Sequence, residues 1–530
     1  SDIARRSGIS QDAVARACVI AAGESVGLSR HVGWHLVDDA GRMHFIASLG
    51  ADTPAMRMLA RLRRDGKYLY IAANIAIALV WLCALCVLGM PWWMGVLGIA
   101  PALAFGQGAV NRLCNLLIKP RMLPRLDLSE GVPENLRTLV VIPGLLTSSE
   151  RARELISQLE TMAALEPGAG VDFLLLGDFS DSPRAQELDD ADIADAARVS
   201  IARANTRAGH TRFFYLQRRR EFNDRHDRFM AHERKRGALM ALNRLLLTGE
   251  SEFEGDIPAE LVGQYQFVMT LDADTRVPPG GIRRLVGTLA HPLNRAADIG
   301  GAMHGWAVLA PRMELSLAAV KNGFVRAMAG GGGFDAYQRG VSEAYWDASG
   351  EAVYAGKGIY DLRAFDGKLR GVLPDNAILS HDMLEGMIAG AGYVSDAPLY
   401  DGFPLKLGSY LKRLHRWTRG DWQLIRYLGR GVPVSGGEVR RNMLGAFDRW
   451  KVLANLFRSA SAPVGLALLL AALYMGNLPL MALGIAPLVM PVLINRWSRR
   501  GFVNMLYRIA IWPSEAACIL DAICRTIYRV

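Results

Sequence analysis

Two stretches of this chain are too long and too apolar to be ordinary surface helices, and they limit what can lie around them. Tyr68 to Phe105 is almost uncharged and is interrupted by Gly89-Met90-Pro91-Trp92-Trp93. Ser461 to Asn495 is similar and breaks near Gly476-Asn477-Leu478-Pro479. Crossing a bilayer takes roughly 20 apolar residues, so each stretch predicts two spanning helices joined by a short turn. Two buried core hairpins are the competing reading, and the basic flanks argue against it. Arg61, Arg63, Arg64 and Lys67 precede the first stretch, and Arg112, Lys119, Arg121 and Arg125 follow it. Arg449, Lys451 and Arg458 precede the second, and Arg496, Arg499 and Arg500 follow it. Lys and Arg collect on the cytoplasmic side of a membrane. The middle of the chain is therefore expected in the cytoplasm, with Trp92 and Trp93 in the belt of the far interface.

With 530 residues, the chain is too long for one compact core. Its organisation is expected as an N-terminal cytoplasmic segment (1–66), a transmembrane hairpin (67–118) and a cytoplasmic domain (134–430). An interface helix with the second hairpin (440–497) and a C-terminal amphipathic segment (498–530) complete it. In the N-terminal segment, Gln11 to Gly27 reads as helix, and His35-Leu36-Val37 with His44-Phe45-Ile46 as a hairpin. The chain begins with Ser, and an excised piece of a longer polypeptide is expected. A net charge of +10 suits an anionic leaflet and a diphosphate ligand. It does not point to nucleic acid, because the basic residues line membrane segments and single helices. The six cysteines form no zinc pattern and fit a reducing compartment.

The cytoplasmic domain alternates strand and helix. Thr138 to Pro143, Val171 to Leu176, Phe213 to Leu216 and Tyr265 to Leu271 are apolar runs, with helices expected at Glu150 to Leu165 and Glu233 to Leu247. Uninterrupted apolar strands between helices predict an α/β domain with a parallel sheet covered on both faces. Ligands in such sheets sit at the carboxyl ends of the strands.

One run carries the chemistry. Phe267 to Thr275 reads FVMTLDADT, a buried strand that ends in Asp272 and Asp274. An Asp-x-Asp triplet alone is common in turns, but at that edge two carboxylates suit a divalent cation bridging to a diphosphate. Asp178 follows the second strand as a candidate for base or ribose. Lys235 and Arg236 open a helix, a favourable place for phosphate. Asp382 and Glu385 begin another helix, within Leu379-Ser380-His381-Asp382. Arg413, Arg416 and Trp417 share one helical stretch. Ahead of Asp382, 323–358 holds Gly330-Gly331-Gly332-Gly333 and reads as a flexible loop over the site or a surface insertion.

This ordered set resembles the processive GT-A synthases of glycosyltransferase family 2, which carry an aspartate after strand two, a D-x-D, a T-E-D and a Q-x-x-R-W. Here Ser380-His381-Asp382 replaces T-E-D, and Arg413 replaces the glutamine. Those departures, with Glu233-Arg234-Lys235-Arg236-Gly237 and Gly356-Lys357-Gly358-Ile359-Tyr360-Asp361, resemble the glycosyltransferase domain of cyclic β-1,2-glucan synthases, family 84. The resemblance implies a GT-A fold, a Rossmann-like and mostly parallel sheet with flanking transmembrane helices. It further implies UDP-glucose as donor, Mg²⁺ or Mn²⁺ on Asp272 and Asp274, inversion, and a growing β-1,2-glucan. Asp382 would be the base, with Glu385 as competitor or orienting partner. Asp178, Lys235, Arg236, Asp272, Arg413, Arg416 and Trp417 would hold the donor. That family builds on its own side chains, which makes Tyr345, then Tyr337, the acceptor candidates. The implied location is the bacterial inner membrane, multi-pass, amid membrane lipid and the further domains of a longer synthase. The alternatives are another GT-A polysaccharide synthase, making a linear glucan or amino-sugar polymer, and a nucleotide sensor without catalysis.

Overall fold

The computed structural model describes residues 2–224, 227–255, 257–299, 302–328, 338–339, 342–379, 381–482, 484–485 and 499–529. Tyr337, Ser380, the four consecutive glycines and 486–498 lie outside them. The return helix expected in the second membrane hairpin falls largely in that last range.

Eight strands form the central sheet: β1 (Thr138–Leu146), β2 (Val171–Phe179), β3 (Phe213–Arg218), β4 (Phe253–Glu254), β5 (Phe267–Thr270), β6 (Val308–Leu315), β7 (Gly358–Asp361) and β8 (Ala391–Asp401). Their order across the sheet is β8-β6-β7-β5-β1-β2-β3-β4. β1 pairs in parallel with β2 and β5, β2 with β3, and β6 with β8. The sheet is mixed rather than wholly parallel. β7 runs antiparallel to both β5 and β6, and β4 antiparallel to β3. β7 is thus a reversed strand inserted beside β5, and it returns the Gly356-Lys357-Gly358 segment to the end of β5 that carries Asp272.

The apolar runs explain the layers. Val140, Ile142, Phe173 and Leu175 point to one face, and Leu139, Val141, Leu174 and Leu176 to the other, all fully buried. Successive side chains of a strand face opposite ways, so a run apolar at every position needs cover on both sides. One face receives α3 (Ser149–Ala164) and, further along, α6 (Gly281–Ala290) through Leu155, Leu159, Leu285 and Leu289. The other receives α5 (Arg234–Thr248) through Leu242 and Leu246, and α8 (Asp382–Ala389) through Leu384. Each such leucine contributes about 1.5–3 kcal/mol by leaving water.

Among the described residues, three helices are long and apolar enough to cross a membrane: α1 (Gly66–Val87), α2 (Trp92–Leu117) and α10 (Ala446–Tyr474). α2 packs along both others. Asn477, just past α10, donates to the Leu88 carbonyl at 2.7 Å, so the turn after α10 meets the turn of the first hairpin at one end. α9 (Leu407–Gln423) carries Arg413, Arg416 and Trp417, and α11 (Arg499–Arg529) lies along it. α7 (Ala344–Ser349) sits where α1 and α2 meet the sheet domain.

The hairpin expected in the N-terminal segment is not formed. His35 to Val37 and His44 to Ile46 fall on or beside helices Val32–Leu36 and Asp39–Ser48. Asp38 accepts from the Ala40 and Gly41 amides at 3.0 and 2.9 Å and so caps the second helix. That cap settles the segment as helical.

Candidate active site

β5 delivers Asp272 to the carboxyl edge of the sheet. Its two oxygens are engaged by two ammonium groups. Lys235 Nζ donates to Oδ1 at 2.6 Å, and Lys357 Nζ lies 3.0 Å from Oδ2. Lys357 is buried and also pairs closely with Asp401 at the end of β8. Thr275 Oγ1 donates to the other oxygen of Asp401 at 2.5 Å, which ties the Asp-x-Asp turn to β8. Backbone bonds between Arg276 and Tyr400 at 2.7 and 2.9 Å brace the same contact. Burial pushes the Asp272 carboxyl up, but Lys235 and Lys357 prevail and hold it well below the usual carboxylate range. Asp274 differs. Burial, and then the charges of Asp401 and Asp272, push it upward against Lys357 and Arg413.

Asp382 stands in the first turn of α8, where a helix N-terminus favours a negative charge. Gly356 lies against its carboxylate. A Cβ on Gly356 would come within 2.6–2.7 Å of the carboxylate atoms of Asp382, and its φ of +74° favours glycine as well. Lys235 donates to the Gly356 carbonyl at 2.7 Å, so one ammonium joins Asp272 to the segment beside Asp382. Burial raises Asp382, with Lys235 opposing and Asp272 adding to the rise. Glu385, one turn along, is pushed up to about 8 by burial and then by Asp382. Burial thus raises both neighbouring carboxyls.

The start of α5 is strained. Glu233 and Arg234 both hold left-handed backbone, at φ 53° and 50°. Each costs about 1–3 kcal/mol and persists only when its surroundings enforce it. Arg218 does so, donating to the His232 and Arg234 carbonyls at 2.6 and 2.7 Å. The same guanidinium grips Asp178 through two bonds of 2.7 Å. Asp178 thus meets the end of β3 and the start of α5. Arg236 is also committed, in a close pair with the buried Glu233, which in turn accepts from the Asn376 amide. Glu233 lies 3.8 Å from His381, which burial and then Arg236 push down to about 3.

On α9 the Arg413 guanidinium lies over the Trp417 ring, 4.5 Å from its centroid. Its charge acts on Asp274, as that of Arg416 acts on Asp382. Trp417 is 40 % exposed. The edge therefore gathers Lys235, Asp272, Asp274, Asp382, Glu385, Arg413 and Arg416. Tyr345 lies elsewhere. It is fully buried on α7, its hydroxyl accepts from Gln107 Nε2 at 2.8 Å, and its ring meets Tyr70 and Phe447.

Neither Lys357 nor Asp401 stands among the functional residues expected from the sequence. Lys357 had a signal, a lysine between two glycines ahead of an apolar strand. Asp401 had none, since it reads as the last residue of a strand.

Among the described residues, no group of three or more His, Cys, Asp and Glu is placed to hold a metal by itself. Asp272 and Asp274 nevertheless suit a hard cation that takes one or two carboxylates and completes its shell with phosphate oxygens and water. The crowding of Asp274 by Asp272 and Asp401 is the observation that fits, because a cation there relieves it.

No family model matches the chain. It is 38% identical over 368 residues to the cyclic beta-(1,2)-glucan synthase NdvB of Rhizobium meliloti (strain 1021), covering 68% of this chain and 13% of that protein. The resemblance read from the motifs is thereby shown, for a segment of a much longer relative. A mannosyltransferase, PcManGT from Pyrobaculum calidifontis in complex with GDP-Man and Mn²⁺, aligns over 85% of this chain and 99% of its own. Its TM-score of 0.44 and 14% identity are too low to bear on the site.

Proposed function

We propose that this chain, related to one segment of a cyclic β-1,2-glucan synthase, is a membrane-bound glycosyltransferase that extends a β-1,2-glucan from UDP-glucose with inversion. The observation that carries the reading is the junction of Asp272 and Asp382 through Lys235 and Gly356. It supports a diphosphate-type subsite beside a half-buried carboxylate.

In this reading an acceptor hydroxyl attacks the anomeric carbon from the face opposite the leaving UDP. The new C–O bond forms as the bond to the diphosphate breaks, and the proton passes to Asp382. Glu385 keeps its own proton, so a single carboxylate serves as base. Lys235 and Arg416 offset the charge that develops on the diphosphate. Mg²⁺ or Mn²⁺, held by Asp272 and Asp274, would supply further charge neutralisation there. Trp417 offers an apolar face on which a sugar ring can stack. Arg236 and Asp178, each bound into an internal ion pair, shape the donor subsite by fixing the start of α5. α1, α2 and α10 support a membrane location, and the distribution of Lys and Arg supports the cytoplasmic side for the domain. The acceptor is the glucan itself or a protein side chain. Tyr345 serves only if α7 moves away from Gln107.

The test incubates the detergent-solubilised protein with radiolabelled UDP-glucose and Mg²⁺, with and without EDTA, and follows UDP release, free glucan and protein-bound label. Release that stops with EDTA and in Asp382→Asn is expected. Release that continues unchanged in Asp382→Asn removes the base assignment, and no release of UDP removes the transferase.

A further inference from the structure

Lys235 touches two working parts of the site at once. Its ammonium donates to Asp272 Oδ1 at 2.6 Å and to the Gly356 carbonyl at 2.7 Å. Lys357, the other cation on Asp272, is differently placed. Its side chain is 9 % exposed and also pairs with Asp401, which is buried and fastened to Thr275. The Lys235 side chain is 29 % exposed and projects from the first turn of α5, so it is the cation with room to move. Gly356 in turn lies on the Asp382 carboxylate so closely that no side chain fits between them.

A divalent cation that uses Asp272 competes with Lys235 for the same oxygen, and two cations on one carboxylate oxygen repel. A diphosphate changes this balance, because it offers the released ammonium several charged acceptors within reach.

We propose that Lys235 is an exchangeable counter-cation and a latch: without donor it neutralises Asp272 and pins Gly356 over Asp382, and donor diphosphate draws it off both. The divalent cation then binds together with the nucleotide rather than before it, and the base is uncovered for acceptor only once the donor is in place. This rests on the transferase reading given above, and it assigns Lys235 a role in the free protein that phosphate binding alone does not require.

The experiment is a Mn²⁺ titration of the full chain in detergent, followed by electron paramagnetic resonance, with and without UDP. Wild type, Lys235→Met, Lys235→Arg and Asp272→Asn are compared, each checked for folding by thermal melting. Wild type is expected to hold Mn²⁺ at least about tenfold more weakly without UDP, between the roughly fivefold of one close charge pair in water and the roughly thousandfold near a protein surface. Lys235→Met is expected to strengthen nucleotide-free Mn²⁺ binding by about tenfold while weakening UDP binding. Lys235→Arg should keep the wild-type pattern, and Asp272→Asn should lose Mn²⁺ in both conditions. Equal nucleotide-free affinity in wild type and Lys235→Met overturns the latch, even if UDP binding falls. The readout needs no turnover, so the two ideas fail separately. UDP release with no Mn²⁺ exchange sinks the latch alone, whereas Mn²⁺ exchange without UDP release sinks the transferase alone.

Discussion

At the carboxyl edge of the sheet the polar groups are ionisable: Lys357, Asp401 and Glu385 are buried, and Asp272 and Asp382 partly so. Where α1, α2, α7 and α10 meet, a hydrogen-bonded cluster of polar groups is neutral, alongside the buried Asp347 of α7 and Lys451 of α10. Gln107 bonds Tyr345 at 2.8 Å, Tyr70 donates to Asn111 at 2.5 Å, and Asn74 donates to the Tyr70 carbonyl at 2.8 Å. Both regions hold backbone far apart in sequence, and they suit different tasks. A neutral hydrogen bond contributes about 0.5–1.5 kcal/mol and has one good arrangement. A buried ion pair gains little net stability, yet breaking it by removing one partner costs about 3–5 kcal/mol. Charges are therefore a poor choice for mere attachment and a good one where a charged ligand is to take over a partner. The neutral cluster suits a lasting contact, and the charged edge suits, in the reading proposed above, exchange with a charged ligand.

The largest break in this contrast comes from Asp382→Asn. It should cut glucosyl transfer at least about a hundredfold, the low end for losing a general base, while leaving UDP binding by calorimetry close to wild type. A parallel fall in both would make Asp382 a donor contact.

Lys357→Met comes next. It leaves Asp401 and Asp272 short of a cation, and stability should fall by about 3–5 kcal/mol, seen as a lower melting temperature with loss of UDP binding. A melting temperature equal to wild type would show that the Lys357 pair is not structural.

The neutral region should respond more mildly. Tyr345→Phe removes one hydrogen-bonding hydroxyl and should cost about 1 kcal/mol, with UDP release retained. Loss of protein-bound label in that variant, against intact UDP release, would instead make Tyr345 the acceptor.

A further effect is on pH dependence. The Glu385 carboxyl is raised in the folded protein to about 8, above its unfolded value near 4.3. The folded state therefore holds a proton that the unfolded state has given up, and stability falls as pH rises from about 4.3 to about 8. Glu385→Gln keeps the shape and removes the titration, so its melting temperature should vary less between pH 5 and pH 8. An unchanged slope would place the titrating group elsewhere.

Much of the site is legible along the chain because each motif follows a strand or opens a helix. FVMTLDADT names its own place, since an apolar strand can end in two aspartates only at a sheet edge. The start of α5 and the start of α8 announce themselves by charge next to apolar helix. The four strands read from apolar runs lie where they are expected. Gly358–Asp361 is too short a run after glycines to announce β7 as a strand, and its antiparallel course depends on pairing with β5. In the N-terminal segment, alternation suggested strands, but the Asp38 cap made helices.

Alone, the sequence determined which groups are present at the ends of elements: two aspartates after β5, lysine and arginine at the start of α5, a carboxylate pair opening α8. Periodicity and apolar length are local properties and need no partner to be read. Only tertiary structure decided which charges neutralise which. Lys357 and Asp401 come from opposite ends of two separate strands, and Gly356 meets Asp382 across a reversed strand. Such pairings follow from strand order and direction, which close contacts between distant segments fix, and no local pattern of residues encodes them.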